Sequence, residues 1–414
     1  MVKYMFNRFL ERKLLEMIDF FPIVLLMGPR QSGKTTLVKM IKDIKEYTYV
    51  TFDDLKIAAS ANSDPLGFVS QLKLPVIIDE VQKCPEIFHA IKQKVDENRK
   101  ASMFVLTGSA NPLMIPKISE SLSGRIGLIN LWPLSFGEII RKREKFIDQI
   151  FNENFSYQTI KKITKNELIL RFIKGGFPTI QQDLSFEMIN EWCNSYLTTI
   201  LQRDIKNLAN IEKVSDLSNL MQFLSIRSSN LINFSELSRT SKIAGSTLKR
   251  YLNLLQTLFI IYFHQPWHNN LTKRLVKATK LYLVDTALLI NILSIDQKRL
   301  EMDSNLFGQI LENYISIELH KIAIWSKKNI KFYHYRNQGG EEIDIILESS
   351  LKEVVAIEIK ASSNVKPDDF KAIKNLQNQI KDNLIKGIVL YMGDQIIPFG
   401  KNLYAMPINS LWDL

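Results

Sequence analysis

The stretch that most narrows what this chain can fold into is GPRQSGKT at residues 28–35. It lies between an apolar run, PIVLLM, and a segment, TTLVKMIKDIKE, with the apolar spacing of an amphipathic helix. A short apolar run of this kind reads as a parallel strand buried on both faces. Gly28-Pro29-Arg30-Gln31-Ser32-Gly33-Lys34-Thr35 satisfies the pattern G-x-x-x-x-G-K-[ST] in full. Loop N–H groups and the helix N-terminus then make an anion site. Lys34 would neutralise β- and γ-phosphate charge and the Thr35 hydroxyl would ligate Mg²⁺. Residues 28 to 36, Thr36 included, are therefore the expected ATP cradle.

Such a loop needs a further acid for magnesium. LPVIIDE at 74–80 supplies it, as an apolar strand ending in Asp79-Glu80. Asp79 is placed to hold Mg²⁺ through water, and Glu80 to orient or deprotonate an attacking water. A third strand, SMFVLTGSA at 102–110, ends in Thr107 and Ser109, whose hydroxyls are expected beside Glu80, where they would sense the γ-phosphate, Thr107 as part of the nucleotide site. Arg125 follows, between a short polar segment and the next apolar strand. This order resembles the AAA+ ATPases, with Walker A, Walker B and sensor 1 at the matching positions. The resemblance implies a parallel-sheet α/β domain over residues 1–140. It leaves Arg125 either as an arginine finger completing a neighbour's site in a homo-oligomer or as a salt-bridged structural residue.

The net charge of +11 is uneven along the chain. Residues 1–140 hold 18 Lys+Arg against 15 Asp+Glu, residues 141–300 hold 23 against 13, and residues 301–414 hold 13 against 15. Within the middle region, residues 237–284 contain no acid but eight basic residues: Arg239, Lys242, Lys249, Arg250, Lys273, Arg274, Lys277 and Lys280. A localised basic segment favours a polyanion, here DNA, over a merely solvated face. The same region predicts helices over 215–226, 235–240 and 246–257, followed by a strand, FIIYFHQPW. That is a winged helix-turn-helix order, with STLKRYLNLL as its recognition helix. Ser246, Thr247, Lys249 and Arg250 would meet phosphates and base edges. Winged helices also serve as protein-docking modules, so that alternative stays open.

Beyond residue 300 the sequence predicts an amphipathic helix over 306–325 carrying Glu312, then a meander of three strands. Asp344 lies on the second strand; Glu358 and Lys360, two apart, project together from the third. Three carboxylates and a lysine are the parts of a divalent-metal hydrolytic site. Glu312, Asp344 and Glu358 would hold Mg²⁺ or Mn²⁺, and Lys360 would activate water. The bland alternative is a cross-strand ion pair. The arrangement resembles the PD-(D/E)XK nuclease superfamily, which implies a restriction-endonuclease-like α/β fold over residues 301–414.

Taken together, LLMGPRQSGKTTL, VIIDEVQKCPEIF, FVLTGSA, GGFP, KRLVKATKLYLVDTALL and EIDIILE…AIEIKAS resemble the blocks of a prokaryotic family of AAA+ ATPases with a carboxyl-terminal domain of unknown function. Three readings follow: an ATP-driven DNA-acting enzyme, an ATP-regulated DNA-binding switch with a silent nuclease-like fold, or a protein remodeller that docks through the winged helix. The longest apolar runs, such as LFIIYF at 258–263, are too short to span a bilayer. Cys84 and Cys193 stand far apart, neither with a second Cys nearby, as buried thiols of a cytoplasmic protein would.

Overall fold

Strand β1, Ile23–Met27, is buried at every residue, as its unbroken apolar run requires. It lies between β4, Phe104–Gly108, and β5, Ile126–Asn130, parallel to both. The sheet continues outward from β4 through β3, Val76–Asp79, to β2, Thr48–Thr51, giving the all-parallel order β2-β3-β4-β1-β5. The inner strands are fully buried while β2, at the edge, is only half-buried. Parallel strands place their carboxyl ends together, and ligands of open α/β sheets bind there. Met27, Asp79 and Gly108 are those ends.

The computed structural model describes residues 6–110, 124–152, 154–204, 214–268 and 278–414. Of the basic stretch, Lys273, Arg274 and Lys277 lie outside the described residues. The chain divides into two units, one of Met1–Leu134 with Leu255–Ile260 and the other of Ser135–Leu254 with Ile261–Leu414. In the first, the core gathers on β1, β3 and β4 and takes in Phe259, whose ring meets Trp132 edge-on at 5.8 Å.

In the second unit, ten strands among the described residues form one sheet. They are β6 (Gln158–Thr159), β7 (Leu231–Ile232), β8 (Ile261–Pro266), β9 (Thr279–Leu283), β10 (Ile330–Arg336), β11 (Glu342–Ser349), β12 (Val354–Lys360), β13 (Leu384–Tyr391), β14 (Gln395–Gly400) and β15 (Leu403–Pro407). Their order is β6-β14-β15-β13-β12-β11-β10-β8-β9-β7. β10, β11 and β12 form an antiparallel meander, while β13 joins β12 in parallel after a helix, Lys371–Ile380. At the other end β9 runs antiparallel to both β7 and β8. The regions before and after residue 300, expected as separate domains, thus share a sheet.

The expected middle helices are Val214–Ile226, Phe234–Ser241 and Gly245–Thr257. The helix carrying Glu312, Ser304–Trp325, differs from expectation. It is buried along most of its length rather than along one stripe. Its buried polar residues are satisfied instead of exposed. Asn313 accepts from the Leu283 N–H (2.8 Å) and the Ser228 hydroxyl (2.7 Å), and donates to the Leu283 carbonyl (3.0 Å). Glu318 accepts from Lys321 (2.8 Å), the Phe136 N–H (2.8 Å) and the Trp412 indole (3.1 Å).

The GGFP turn also has a physical partner. Asp285 accepts from the N–H groups of Gly176 (2.7 Å) and Ala287 (2.9 Å), capping the Thr286–Ile292 helix. A Cβ on Gly175 would lie 2.1 Å from the same carboxylate, at a φ of +51°. Cys84 and Cys193 are buried free thiols, and among the described residues no helix is long and apolar enough to cross a membrane.

Candidate functional site

The loop after β1 is held open by its own backbone demands. A side chain on Gly28 would place its Cβ 2.1 Å from the Leu131 carbonyl oxygen, so only glycine allows the loop to leave the sheet there. Gly33, at φ +97°, caps the helix Lys34–Lys45 in a left-handed conformation. Arg8 braces the loop from outside the motif, donating to the carbonyls of Ser32 (2.6 Å) and Trp132 (2.7 Å). Inside, the buried Lys34 ammonium donates to the carbonyls of Gly28 (2.9 Å) and Pro29 (2.7 Å). Burial pushes its pKa down to about 8, against the pull of Glu80 and Asp79. Pro29 and Ser32 are buried on the loop, Arg30 is half-buried, and Gln31 and Thr36 are exposed. The Ser32 hydroxyl is buried without a hydrogen-bond partner.

Asp79 is the hub of the site. Its Oδ2 accepts from the hydroxyls of Thr35 (2.8 Å) and Tyr49 (2.7 Å), and its Oδ1 accepts from Thr107. Burial, then the bond to Asp79, pushes the Tyr49 phenol well above its ordinary range, so it stays a donor. Thr107 also accepts the Glu80 N–H at 3.0 Å, locking the two acids to the neighbouring strand. The Glu80 carboxylate is held by Gln82 and by the Ser109 hydroxyl (3.2 Å), and Gln82 donates to Ser109 as well (2.8 Å). Thr107 and Ser109 therefore stand beside the acids. Arg8 and Tyr49 lie outside every motif, and Gln82, though within the VIIDEVQKCPEIF block, was given no role there; the sequence reading missed all three.

Arg125 makes a bidentate pair with Asp96, at 2.6 and 3.0 Å. On the Gly245–Thr257 helix, Ser246, Lys249 and Arg250 are exposed and Thr247 is half-buried. Lys280, counted with the basic stretch, is not on the surface: its side chain is 5% exposed.

The carboxyl-terminal residues do converge, but around that lysine. Its ammonium lies 2.7 Å from Glu312 and 2.9 Å from Asp344. Tyr282 donates to the same Glu312 oxygen at 2.8 Å, and the Ile359 N–H donates to the other Asp344 oxygen at 2.9 Å. Lys360 pairs with Glu358 at 2.7 Å, while Glu358 Oε2 is buried with no hydrogen-bond partner. Burial, and next the charge of Asp344, pushes both Glu312 and Glu358 up to about 8. For Lys280 burial alone would lower the pKa, but the charges of Asp344 and Glu312 outweigh it and raise it. Among the described residues no three His, Cys, Asp or Glu side chains are disposed as a ready metal cage.

Residues 21–140 match the family described as AAA domain, so the first unit is an AAA-type ATPase domain built on a phosphate-binding loop. Residues 165–299 and 307–411 match two families described as domains of unknown function. The chain is 28% identical over 392 residues to an uncharacterized protein of Mycobacterium tuberculosis, covering 94% of this chain and 81% of that protein. It is 24% identical over 385 residues to an uncharacterized protein of Methanocaldococcus jannaschii, covering 89% and 82%. A Walker-type ATPase of Pyrococcus abyssi, 15% identical, aligns with 70% of this chain and 96% of its own at a TM-score of 0.43.

Proposed function

We propose that this chain is a Mg²⁺-dependent ATP hydrolase whose second unit acts on DNA. The observation that carries the hydrolytic reading is the convergence on Asp79 of the Thr35, Tyr49 and Thr107 hydroxyls, with Glu80 fixed alongside. Thr35 and Asp79 at 2.8 Å fit a magnesium ion, which Thr35 would hold directly and Asp79 through water. That ion would screen the phosphate charge. Lys34 exchanges its two loop carbonyls for phosphate oxygens, and the unpartnered Ser32 hydroxyl supplies a further donor. Glu80 accepts the proton of the attacking water once Gln82 and Ser109 release its carboxylate. For Arg125 to complete a neighbouring copy's site, its pair with Asp96 would have to open.

The DNA reading is supported by the order helix, strand, helix, helix, strand, strand and by the β7-β9-β8 pairing, which is that of a winged helix. Exposed Ser246, Lys249 and Arg250 on the third helix add phosphate-seeking groups. Helix, antiparallel meander, helix and parallel strand over residues 304–391 support a PD-(D/E)XK-like core. There the buried, unpartnered Glu358 Oε2 fits a divalent cation held by Asp344 and Glu358. The Lys280 ammonium between Glu312 and Asp344 favours a second reading, in which the nuclease-like fold is silent and the chain is an ATP-regulated DNA-binding switch.

Phosphate release and nucleotide binding test the central claim. Lys34→Ala should abolish hydrolysis, and Glu80→Gln should bind ATP and retain it uncleaved. Wild-type turnover by Lys34→Ala would overturn the assignment.

A further inference from the structure

Three elements bring charge to one buried place: the Ser304–Trp325 helix brings Glu312, β11 brings Asp344, and β9 brings Lys280. β12 adds Glu358 and Lys360. Three carboxyl groups thus face two lysines in one cluster. The Lys360 side chain is 35% exposed and pairs with Glu358, so water shares its work. Lys280 is different. At 5% exposure it has almost no water, and it bridges two carboxylates at contact distance, the position a bridging cation takes.

We propose that Lys280 is the resident cation of this cluster, and that a divalent ion enters only by displacing its ammonium group. The proposal rests on the reading of Asp344 as a metal ligand. The geometry supports it: the Lys280 ammonium already fills the place between Glu312 and Asp344 that a bridging ion would take. Two cations sharing Glu312 and Asp344 would also repel at short range, where little water screens them. Glu358 Oε2, unpartnered in the lysine-held state, gains its partner only in the metal-held state. Tyr282 and the Ile359 N–H keep hold of Glu312 and Asp344 while the cation changes. The cluster is thus closed by the chain itself and opens by exchange.

The test uses the full chain and Mn²⁺ alone, its binding followed by electron paramagnetic resonance, with Asp344→Asn subtracting ions bound elsewhere. Lys280→Met removes the charge and keeps the stem. It should raise the Asp344-dependent affinity by about tenfold or more, because two half-buried carboxylates lose their counter-ion. Wild-type protein gives an independent reading if that variant does not fold. Reductive methylation, mapped by mass spectrometry, should modify Lys280 faster when Mn²⁺ is present, and Asp344→Asn should cancel the effect. Asp344-dependent binding that is equal in wild type and Lys280→Met, with methylation of Lys280 unmoved by Mn²⁺, overturns the exchange and leaves the ligand reading standing. No Asp344-dependent Mn²⁺ binding in either protein overturns the ligand reading and the exchange with it.

Discussion

Thr107→Val removes one hydroxyl at nearly constant volume, and the structure says what that hydroxyl does. It donates to Asp79 Oδ1 and accepts the Glu80 N–H at 3.0 Å. Thr107 and Asp79 are 0% and 1% exposed, so water does not take over the contact to Asp79, whereas Glu80 is half-buried. Asp79 keeps its Oδ2 bonds to Thr35 and Tyr49, which limits the loss to one carboxylate oxygen and one amide. A buried group left without a partner costs about 1–3 kcal/mol, so the loss is about 2 kcal/mol, chiefly from the Asp79 oxygen. That corresponds to an opening equilibrium shifted about thirtyfold. Hydrogen exchange read by mass spectrometry on peptides covering β3 and β4 reports this unit alone. Thr107→Ser is the control, since it keeps the hydroxyl and loses one methyl, worth about 1 kcal/mol. Exchange in Thr107→Val should therefore accelerate about thirtyfold, and in Thr107→Ser well under tenfold. If the valine variant exchanges no faster than the serine variant, the bridging role of Thr107 is refuted.

Two further outcomes are expected. Because burial pushes Lys34 down to about 8, the lysine is charged below that pH and ATP affinity should be flat there. Above it, binding must take up a proton, so affinity should fall by up to about tenfold per pH unit; calorimetry in which affinity stays constant well above that pH would contradict the buried ammonium. Lys249→Glu combined with Arg250→Glu should weaken DNA binding and reduce the salt slope by about 2, measured by fluorescence anisotropy across ionic strengths; unchanged affinity at low salt would remove this helix as the DNA contact.

The strand–loop–helix at residues 23–45 was legible because each part is local: an apolar run, glycines where backbone must approach backbone, and a helical period. The middle helices were legible for the same reason, and their ends fall within a residue of expectation. What the sequence hid depends on tertiary pairing. Lys280 sits in an acid-free basic segment and reads as surface charge. Its burial follows only once Glu312 and Asp344, 32 and 64 positions further on, are brought to it by the sheet and the helix. Tyr49 and Gln82 reach the acids because β2 lies beside β3 and a turn follows Glu80, neither of which leaves a motif. The Ser304–Trp325 helix defeated periodicity because its polar residues are buried with partners, which no pattern of hydrophobicity records.

The continuity of the ten-stranded sheet has a practical consequence for anyone dividing this protein. A boundary near residue 300, natural from composition and from the two matched families, falls between β9 and β10 in sequence but leaves them in one hydrogen-bonded sheet. β10 pairs with β8 at Tyr333–Gln265 and His334–Pro266, and Trp267 adds an N–H bond of 2.6 Å to the His334 carbonyl. Trp267 is also part of the apolar core that contains Tyr335, Ile343 and Phe370. A fragment beginning near residue 300 would lose that tryptophan and bare one side of β10 as an open template for strand addition, the usual start of aggregation. It would also strand Glu312 and Asp344 in the interior with no lysine between them. Fragments intended for crystallography or binding work therefore need to begin before the Val214–Ile226 helix, so that β7, β8 and β9 travel with the meander they extend.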